Sequence, residues 1–233
     1  MRYLHLAILG ILPAAMLACA GQAVLPARVI RPYVMVEKTF YSYGPQDGYV
    51  VETGELDSSS TSLRVGDENG YPPTPQIVSI LSFDTSSLPD DAIFNSVVLV
   101  LKQESSIIGE GNPFVKFHGL LIDVRRGSFG QTPLLEAGDF AAPANLSAMG
   151  PYMPELAKTY TFALDGAAYP YINRWSLFNG LTQFRLHFVL NSDGNARPDY
   201  IHFHSGDETD EALRPQLVIR YHLPTPVVIA AVP

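Results

Sequence analysis

Histidine, arginine and tyrosine side chains alternate with apolar ones in three segments of the sequence, QFRLHFVL at 183–190, YIHFH at 200–204 and PQLVIRYH at 215–222. Successive side chains of a β-strand point to opposite faces of the sheet, so each segment would turn its apolar residues inward and its polar residues outward. If the three strands are neighbours, a single outer face of a sheet collects the polar residues. These are Arg185, His187, Tyr200, His202, His204, Arg220 and His222.

Three kinds of chemistry are compatible with this polar face. The histidine and arginine side chains could satisfy one another on a solvated surface. The planar guanidinium, imidazole and phenol groups could instead hydrogen-bond to sugar hydroxyls and stack on sugar rings, which predicts a glycan-binding face. A metal site is the third alternative, because His202, His204 and Glu208 have side chains that can share an ion, although no second histidine motif follows His222.

The sequence lacks the motifs of the common catalytic sites. It contains neither G-x-S-x-G nor H-E-x-x-H, and its single cysteine, Cys19, falls within an N-terminal leader. Carboxylates are frequent, but they lie in turn sequences such as DENG at 67–70 and SGDETDE at 205–211, where solvation explains them. We therefore predict a non-catalytic protein without a cofactor. The same turns could hold a structural Ca²⁺, which prefers oxygen ligands.

Residues 1–20, MRYLHLAILGILPAAMLACA, have one positive charge, a long apolar run and small residues at the end, which is typical of a secretory signal peptide. Two ways of processing this leader fit the sequence. Ala18-Cys19-Ala20 is an A-x-A cleavage site, whereas residues 16–19, MLAC, form a tolerable bacterial lipobox in which Cys19 would be lipidated. Both predict an exported protein, either secreted or on the outer cell surface, and both leave no cysteine for a disulfide.

The net charge of the chain excludes several classes of partner. The full sequence carries a formal charge of −8, and removal of the leader removes Arg2, which leaves 14 Lys and Arg residues against 23 Asp and Glu, or −9. Binding to nucleic acid, anionic lipid or a polyanionic glycan requires clustered cations. The only adjacent basic pair, Arg125 and Arg126, is expected in a solvated loop. We predict no nucleic-acid partner, and contact with a membrane only through a lipid anchor.

Short runs of β-branched and aromatic residues, separated by residues that favour turns, predict an all-β fold. The chain has 233 residues, of which 47% are apolar, and this is enough for the core of one sandwich domain. We predict a jelly-roll type β-sandwich of about ten short antiparallel strands with one short helix. The predicted strands are residues 33–37, 49–52, 62–65, 76–84, 93–103, 114–124, 160–164, 183–190, 200–204 and 216–222.

The stretch LSFDTSSLPDDAIFNSVVLVL, residues 81–101, combines an apolar strand, an acidic turn that contains proline and a second strand that is apolar on both faces. We predict a hairpin whose role is mainly structural, with Leu88 and Pro89 at its corner. The side chains expected in the core are Leu81, Phe83, Val98 and Val100.

One segment departs from the strand pattern. Residues 164–180, LDGAAYPYINRWSLFNG, have an aspartate that can cap a helix, a proline near the start, apolar residues at helical spacing and a terminal glycine. This pattern predicts one amphipathic helix that closes an end of the sandwich. Trp175, the only tryptophan, could stack on a sugar, but its spacing favours a core position.

Three stretches and the tryptophan-containing segment together resemble one known family. The stretches are DGYVVETGELDSSSTSLRVGDENG at 47–70, ILSFDTSSLPDDAIFNSVVLVL at 80–101 and FHSGDETDEALRPQLVIRYH at 203–222. They resemble the DNRLRE domain, a family of exported β-sandwich modules related to the disaggregatase repeat and to a class of carbohydrate-binding modules. The order of Trp175, Gly180 and Leu181 is similar to the family's tryptophan-bearing helix and the strand after it.

The resemblance implies an exported, non-catalytic module that binds a carbohydrate or another component of the cell envelope. A structural or adhesive surface protein without a small ligand is an alternative, and a polysaccharide-degrading enzyme is a further one. A glycosidase would need two carboxylates facing across a cleft, which a sequence does not show. Two positions depart from the family pattern: RRGSFGQTPLLEAGD at 125–139 replaces a W-x-E stretch, and Ser82 replaces a basic residue, which weakens any prediction of uronate binding.

These observations divide the chain into four parts. Residues 1–20 are the predicted leader, and residues 21–44 are a predicted N-terminal strand and linker. Residues 45–223 form the predicted β-sandwich domain, and residues 224–233 a C-terminal tail.

Overall fold

Runs of β-branched and aromatic residues form the strands of this protein, as their sequence pattern indicates. A computed structural model describes residues 33–68, 74–104, 106–174 and 180–224. The strands in these ranges are β1 (Val36–Tyr41), β2 (Gly48–Val51), β3 (Leu56–Asp57), β4 (Ser62–Asp67), β5 (Gln76–Asp84), β6 (Ile93–Lys102), β7 (Leu120–Arg126), β8 (Leu146–Tyr152), β9 (Thr159–Ala163), β10 (Leu181–Phe188), β11 (Asp199–His204) and β12 (Gln216–His222). The helices there are α1 (Pro113–Lys116) and the 3-10 helices η1 (Gly44–Gln46), η2 (Ala137–Phe140) and η3 (Gly166–Tyr171).

The strands form two antiparallel sheets with one hydrophobic core between them. The smaller sheet has the strand order β1-β12-β6-β9. The larger sheet has the order β11-β4-β5-β10-β7-β8, with β2 paired to β5 and β3 paired to β2. Phe83 and Phe184 of the larger sheet and Leu99 and Leu217 of the smaller sheet are all fully buried in the shared core. The prediction of an all-β sandwich is confirmed.

The predicted hairpin of residues 81–101 is instead a corner between the two sheets. Its first strand, β5, belongs to the larger sheet and its second strand, β6, to the smaller one, so the two are not hydrogen-bonded to each other. Leu88 and Ala92 of the connection are buried and fill the corner. A proline-containing turn can therefore join two sheets as well as two neighbouring strands, and the local sequence is the same in both cases.

Two of the four core positions predicted in this corner are correct. Leu81 and Phe83 of β5 are fully buried, as expected. The prediction for Val98 and Val100 was wrong, because both are only half-buried. The core face of β6 is formed by Val97, Leu99 and Leu101. Alternation requires one of the two sets to face inward, and a strand with valine and leucine on both faces leaves the choice to the rest of the fold.

A second, smaller core lies on the other face of the larger sheet. Residues 127–145, which connect β7 to β8, place Phe129 and Leu135 against Val50, Val78 and Ile80 of β2 and β5. The backbone N–H of Phe129 also donates to the side-chain carbonyl of Gln183 on β10, at 2.8 Å. β5 is consequently buried on both faces along most of its length.

The helix predicted for residues 164–180 is much shorter in the structure. Asp165 caps η3 by accepting a hydrogen bond from the Ala167 N–H at 2.8 Å. The helix ends at Tyr171, and Ile172 is already extended, with φ −71° and ψ 118°. Pro170 lies inside η3 and cannot donate a backbone hydrogen bond, which favours an early end. Trp175 lies outside the described residues. None of the helices in the described ranges is long and apolar enough to cross a membrane.

Two further strand predictions need correction, and the sequence pattern did not predict β8. The predicted strand 114–124 begins as α1, whose first turn is capped by Asn112 accepting from the Phe114 N–H at 2.9 Å, before the chain enters β7. The Asn-Pro pair at this position is a helix-start signal. The first strand is Val36–Tyr41 instead of 33–37. β8, with the sequence LSAMGPY, was not predicted, because small residues and a proline are typical of an edge strand rather than an apolar one.

Candidate functional site

The predicted polar face is divided between the two sheets. β10 and β11 both belong to the larger sheet, but β4 and β5 lie between them, and β12 belongs to the smaller sheet. Arg220 donates to Glu37 of β1 at 2.5 Å. His222 hydrogen-bonds to Asn95 at 2.8 Å and stacks on Tyr33 with 4.2 Å between the rings. The expectation of a single face was therefore wrong, because side-chain alternation does not determine which sheet a strand joins.

Arg185 is a buried structural residue. Its guanidinium donates to Asp123 of β7, with Nε at 2.9 Å, and to the backbone carbonyls of Asp139, Phe140 and Ala142 at 2.8–3.0 Å. These bonds fasten the segment 127–145 to the sheet. The prediction that the Arg185 side chain is exposed for ligand binding is wrong. The residue is only 9% exposed, and its guanidinium is bonded within the protein.

The carboxylate of Asp123 is the anion at the centre of this arrangement. Burial alone would raise its pKa. Hydrogen bonds from the His187 ring, the Ala148 N–H and Arg185 outweigh burial and lower the pKa of Asp123 to about 2. The imidazole of His187 lies 3.4 Å from the carboxylate. His187 is therefore also part of the internal packing of β7 and β10.

Tyr200, His202 and His204 do lie together, on the outward face of β11 at the edge of the larger sheet. The structure adds Arg64 of β4, whose guanidinium carbon lies 4.7 Å from the ring centre of Tyr49 and 5.5 Å from that of Tyr200. Sequence alternation had not selected Arg64, although Arg64 and His202 are directly opposite in the register of β4 and β11. We call these four outward residues, Arg64, Tyr200, His202 and His204, the β11 surface.

The two histidines of the β11 surface are hydrogen-bonded to neighbouring residues. His202 Nδ1 lies 2.7 Å from Ser62 Oγ, and His204 Nδ1 lies 2.6 Å from Glu208 Oε1. Burial lowers the pKa of His202 below its ordinary value, Arg64 lowers it further, and Glu104 acts in the opposite direction. Arg64 Nε, by contrast, is buried without a hydrogen-bond partner among the described residues, and the guanidinium lies 3.8 Å from Glu68. The polar groups of this surface are therefore only partly satisfied within the protein.

The three predicted metal ligands, His202, His204 and Glu208, do not form one group. No group of three or more His, Cys, Asp or Glu side chains in the described ranges is arranged to hold a metal ion. His204 and Glu208 pair with each other, while His202 is held by Ser62.

In the predicted acidic turn 67–70, the carboxylate of Asp67 is satisfied by donors from the protein. Thr74 Oγ1 donates to it at 2.9 Å, and the backbone N–H of Asp199 donates at 3.0 Å. The cation beside Asp199 is the ammonium group of Lys116, at 2.6 Å. A structural Ca²⁺ stays a prediction.

A hollow of about 370 Å³ is lined by aromatic, apolar and polar side chains. Tyr41 at the end of β1 and Tyr43 just after it line the hollow, and their side chains are 38% and 57% exposed. Phe40 and Leu181 supply buried apolar surface. The remaining polar lining comes from Ser42, Gln46, Asp84 and Arg214. We call this cavity the tyrosine hollow.

Backbone contacts between distant segments position the tyrosine hollow. Tyr41 pairs with Gln216 at the start of β12, which brings Arg214 alongside. The N–H of Tyr43 donates to the carbonyl of Ser82 at 3.0 Å, which holds the end of β1 against β5. Arg214 Nε donates to the carbonyl of Glu208 at 2.7 Å and so keeps the guanidinium in place.

Residues 41–43 lie in the part of the chain that the sequence pattern predicts to be a linker. The signal that was overlooked is the spacing Tyr-Ser-Tyr, in which residues two apart in extended backbone share a face.

No protein-family model matches this sequence, and no curated protein matches it. The resemblance to the DNRLRE domain therefore stays a prediction.

Proposed function

We propose that this chain is an exported, non-catalytic β-sandwich module that binds a carbohydrate of the cell envelope in the tyrosine hollow. The observation that carries the proposal is the presence of two exposed tyrosine rings, Tyr41 and Tyr43, beside a cavity whose other lining residues combine apolar side chains with a few polar ones. Aromatic residues that combine an apolar ring with a polar hydroxyl suit ligands that are apolar on one side and wet on the other, as sugars are.

The charge of the hollow favours a neutral sugar. Asp84 and Arg214 contribute one negative and one positive group to its lining, so neither sign dominates. Asp84 accepts from the N–H of Ser86 at 3.0 Å, which fixes the carboxylate while leaving further lone pairs for a hydroxyl donor. Arg214 and Gln46 supply planar donors. Hydroxyl recognition by such groups sets specificity, and the rings and the apolar floor supply contact area.

The lining of the hollow also supports a non-catalytic role. Hydrolysis of a glycosidic bond by the usual mechanism uses two carboxyl groups on opposite sides of the bond. Among the described lining residues of the tyrosine hollow, Asp84 is the one carboxylate. The alternative of a structural or adhesive protein without a small ligand fits the histidines of the β11 surface, which are hydrogen-bonded to other residues of the protein. It becomes the conclusion if the hollow binds no glycan.

The test is binding of the purified chain to an array of neutral oligosaccharides, with affinity electrophoresis in soluble polysaccharides as a second measurement. We expect the variant Tyr41→Ala/Tyr43→Ala to lose about tenfold or more in affinity, because each lost ring contact contributes about 0.5–1.5 kcal/mol. The melting temperature should change little, since both side chains are exposed.

Tyr33→Ala is the matched control, because Tyr33 is an equally exposed tyrosine that stacks on His222 away from the hollow. It should bind like the wild type, and Tyr41→Phe/Tyr43→Phe should retain most of the affinity. The proposal is wrong if no neutral glycan is retained, or if the double alanine variant binds as tightly as the wild type.

A further inference from the structure

A second cavity of about 730 Å³ contains two arginine side chains and lies between the corner of β5 and β6, the end of β7 and η3. It shares no lining residue with the tyrosine hollow. Phe94 and Ile172 are nearly fully buried and supply apolar wall. Tyr169 contacts Phe94 edge to face, with 5.9 Å between ring centres. We call this cavity the arginine pocket.

The two guanidinium groups of the arginine pocket, Arg126 and Arg174, have carbonyl partners. Arg126 Nη2 donates to the carbonyl of Pro170, and Arg174 Nη1 donates to that of Asp90 at 3.3 Å. None of the ion pairs found within the described ranges includes either arginine. Each guanidinium has five N–H donors, so donors remain on both.

The position of Arg174 is fixed by packing. Its guanidinium carbon lies 4.3 Å from the centre of the Phe94 ring, within the range of a cation–π contact. A planar group held on an aromatic face has already lost much of its rotational freedom, so it loses little more when it binds a ligand. The arginine is thereby prepared to bind a planar or tetrahedral anion with two parallel hydrogen bonds.

The electrostatics of the pocket favour an anion. Burial lowers the pKa of Arg174, the positive charge of Arg126 lowers it further, and Asp90 only partly offsets the two. Two like charges that share a cavity repel each other, and an anion between them would relieve that repulsion. Arg126 and the carboxylate of Asp90, which also lines the pocket, are both exposed to solvent, so screening weakens the effect of each.

We propose that the arginine pocket binds an oxyanion carried on a flat, apolar body, with the anion between Arg126 and Arg174 and the body against Tyr169. The anion can be a carboxylate or a tetrahedral phosphate or sulfate, since both match the guanidinium fork. The ligand is a small single anion and not a polyanionic chain, because the protein as a whole is acidic, with a net charge of −8. This site is separate from the tyrosine hollow, and either can exist without the other.

Calorimetric titration of the full chain with benzoate, phenyl phosphate and neutral benzamide tests the proposal. We expect both anions to bind more tightly than benzamide, and their affinity to fall as NaCl is raised. Tighter binding of benzoate would identify a carboxylate ligand, and tighter binding of phenyl phosphate a tetrahedral ester. Arg126→Gln and Arg174→Gln should each weaken anion binding about tenfold or more, since each removes a charge-assisted hydrogen-bond donor.

Arg197→Gln is the matched control, because Arg197 is exposed and does not line the pocket. It should leave anion binding unchanged. A second measurement needs no variant: benzoate or phenyl phosphate should protect Arg126 and Arg174 of the wild-type chain from modification by phenylglyoxal, with Arg197 unprotected, as followed by peptide mass spectrometry.

Equal affinity for benzamide and the anions would overturn the proposal, and so would equal modification of all three arginines with and without anion. A loss of anion binding in Arg197→Gln as large as in Arg174→Gln would also overturn it. Failure of these tests leaves the tyrosine hollow unaffected, and failure of glycan binding leaves this pocket unaffected.

Discussion

The guanidinium of Arg185 joins β10, β7 and the segment 127–145 through bonds to one carboxylate and three backbone carbonyls. It also lies 4.8 Å from the ring centre of Phe129, which it helps to hold on the sheet. Removing one partner of a buried ion pair destabilises the folded protein strongly, because it leaves the other charge buried and uncompensated. The same residue type at Arg220 makes one exposed pair with Glu37, in which both side chains are at least half exposed.

This contrast predicts very different effects of two arginine substitutions. Arg185→Ala should lower the free energy of unfolding by about 3–5 kcal/mol, because it leaves the Asp123 carboxylate buried without its main cation. Arg220→Ala should lower it by less than about 1 kcal/mol, because an exposed ion pair contributes little. Urea denaturation of the two variants measures both. Similar losses in the two variants would contradict the assignment of Arg185 as a buried structural residue.

Ionisation of Asp123 makes the free energy of unfolding depend on pH in the acid range. Its pKa is about 2 in the folded protein and 3.8 in an unperturbed carboxyl, so the unfolded chain binds the proton first as the pH falls. The stability of about 2 kcal/mol from this shift is complete above about pH 4 and is lost as the pH falls towards 2. The advantage of the wild type over Asp123→Asn in urea denaturation should therefore shrink between pH 4 and pH 2. A constant difference would show that the folded pKa is not lowered.

The strands β5 and β10 form the centre of the molecule, because both of their faces are covered. The inner face packs against the smaller sheet, and the outer face lies under the segment 127–145. The sequence RRGSFGQTPLLEAGD is the part that departs from the DNRLRE pattern, and it folds as this cover. The cover explains why polar residues on the outer face of β10 are buried.

Phe83 of β5 shows what this central position implies for stability. The side chain is fully buried and contacts Phe184 with 5.8 Å between ring centres. Phe83→Ala should lower the free energy of unfolding by about 3–5 kcal/mol, which is a large part of the total for an ordinary domain. Val115→Ala, a truncation at a residue that is 58% exposed, is the control and should change it by less than about 0.5 kcal/mol. A thermal melt of Phe83→Ala within a degree or two of the wild type would contradict the burial.

The two cavities of the molecule are lined by parts of the chain that are far apart in sequence. The tyrosine hollow combines residues from 40–46, 84, 133, 181 and 214, and the arginine pocket combines residues from 90–94, 126 and 166–174. Each exists only when both sheets and their connections are in place. Binding at either site should therefore stabilise the folded domain against unfolding.

Cys19, the predicted site of lipid attachment, lies outside the described residues. If the lipobox prediction is correct, the chain expressed in a bacterium will partition into detergent, and Cys19→Ser will be released as soluble protein. A multiply acylated terminus holds a protein firmly on a membrane, whereas a single acyl chain holds it only marginally. Equal partitioning of the two proteins would favour cleavage at the A-x-A site.

Most strands of the fold and much of the inner core follow from local sequence patterns. Alternation along a strand has a period of two residues, so it is a local property that QFRLHFVL and YIHFH show without reference to the rest of the chain. It correctly placed Phe184, Leu186, Ile201 and Phe203 in the core. What alternation does not contain is the identity of a strand's neighbours, which depends on contacts between distant residues.

Every feature that depends on strand pairing is therefore set by contacts between residues that are distant in the sequence. It assigned β5 and β6 to different sheets, although the sequence between them is typical of a hairpin. It placed Arg220 on the sheet opposite to Arg185, and it covered Arg185 with a segment whose Phe129 and Leu135 find their partners only across the sheet. The tyrosine hollow belongs to the same class of feature, because its lining residues become neighbours only after β1 has paired with β12 and met β5.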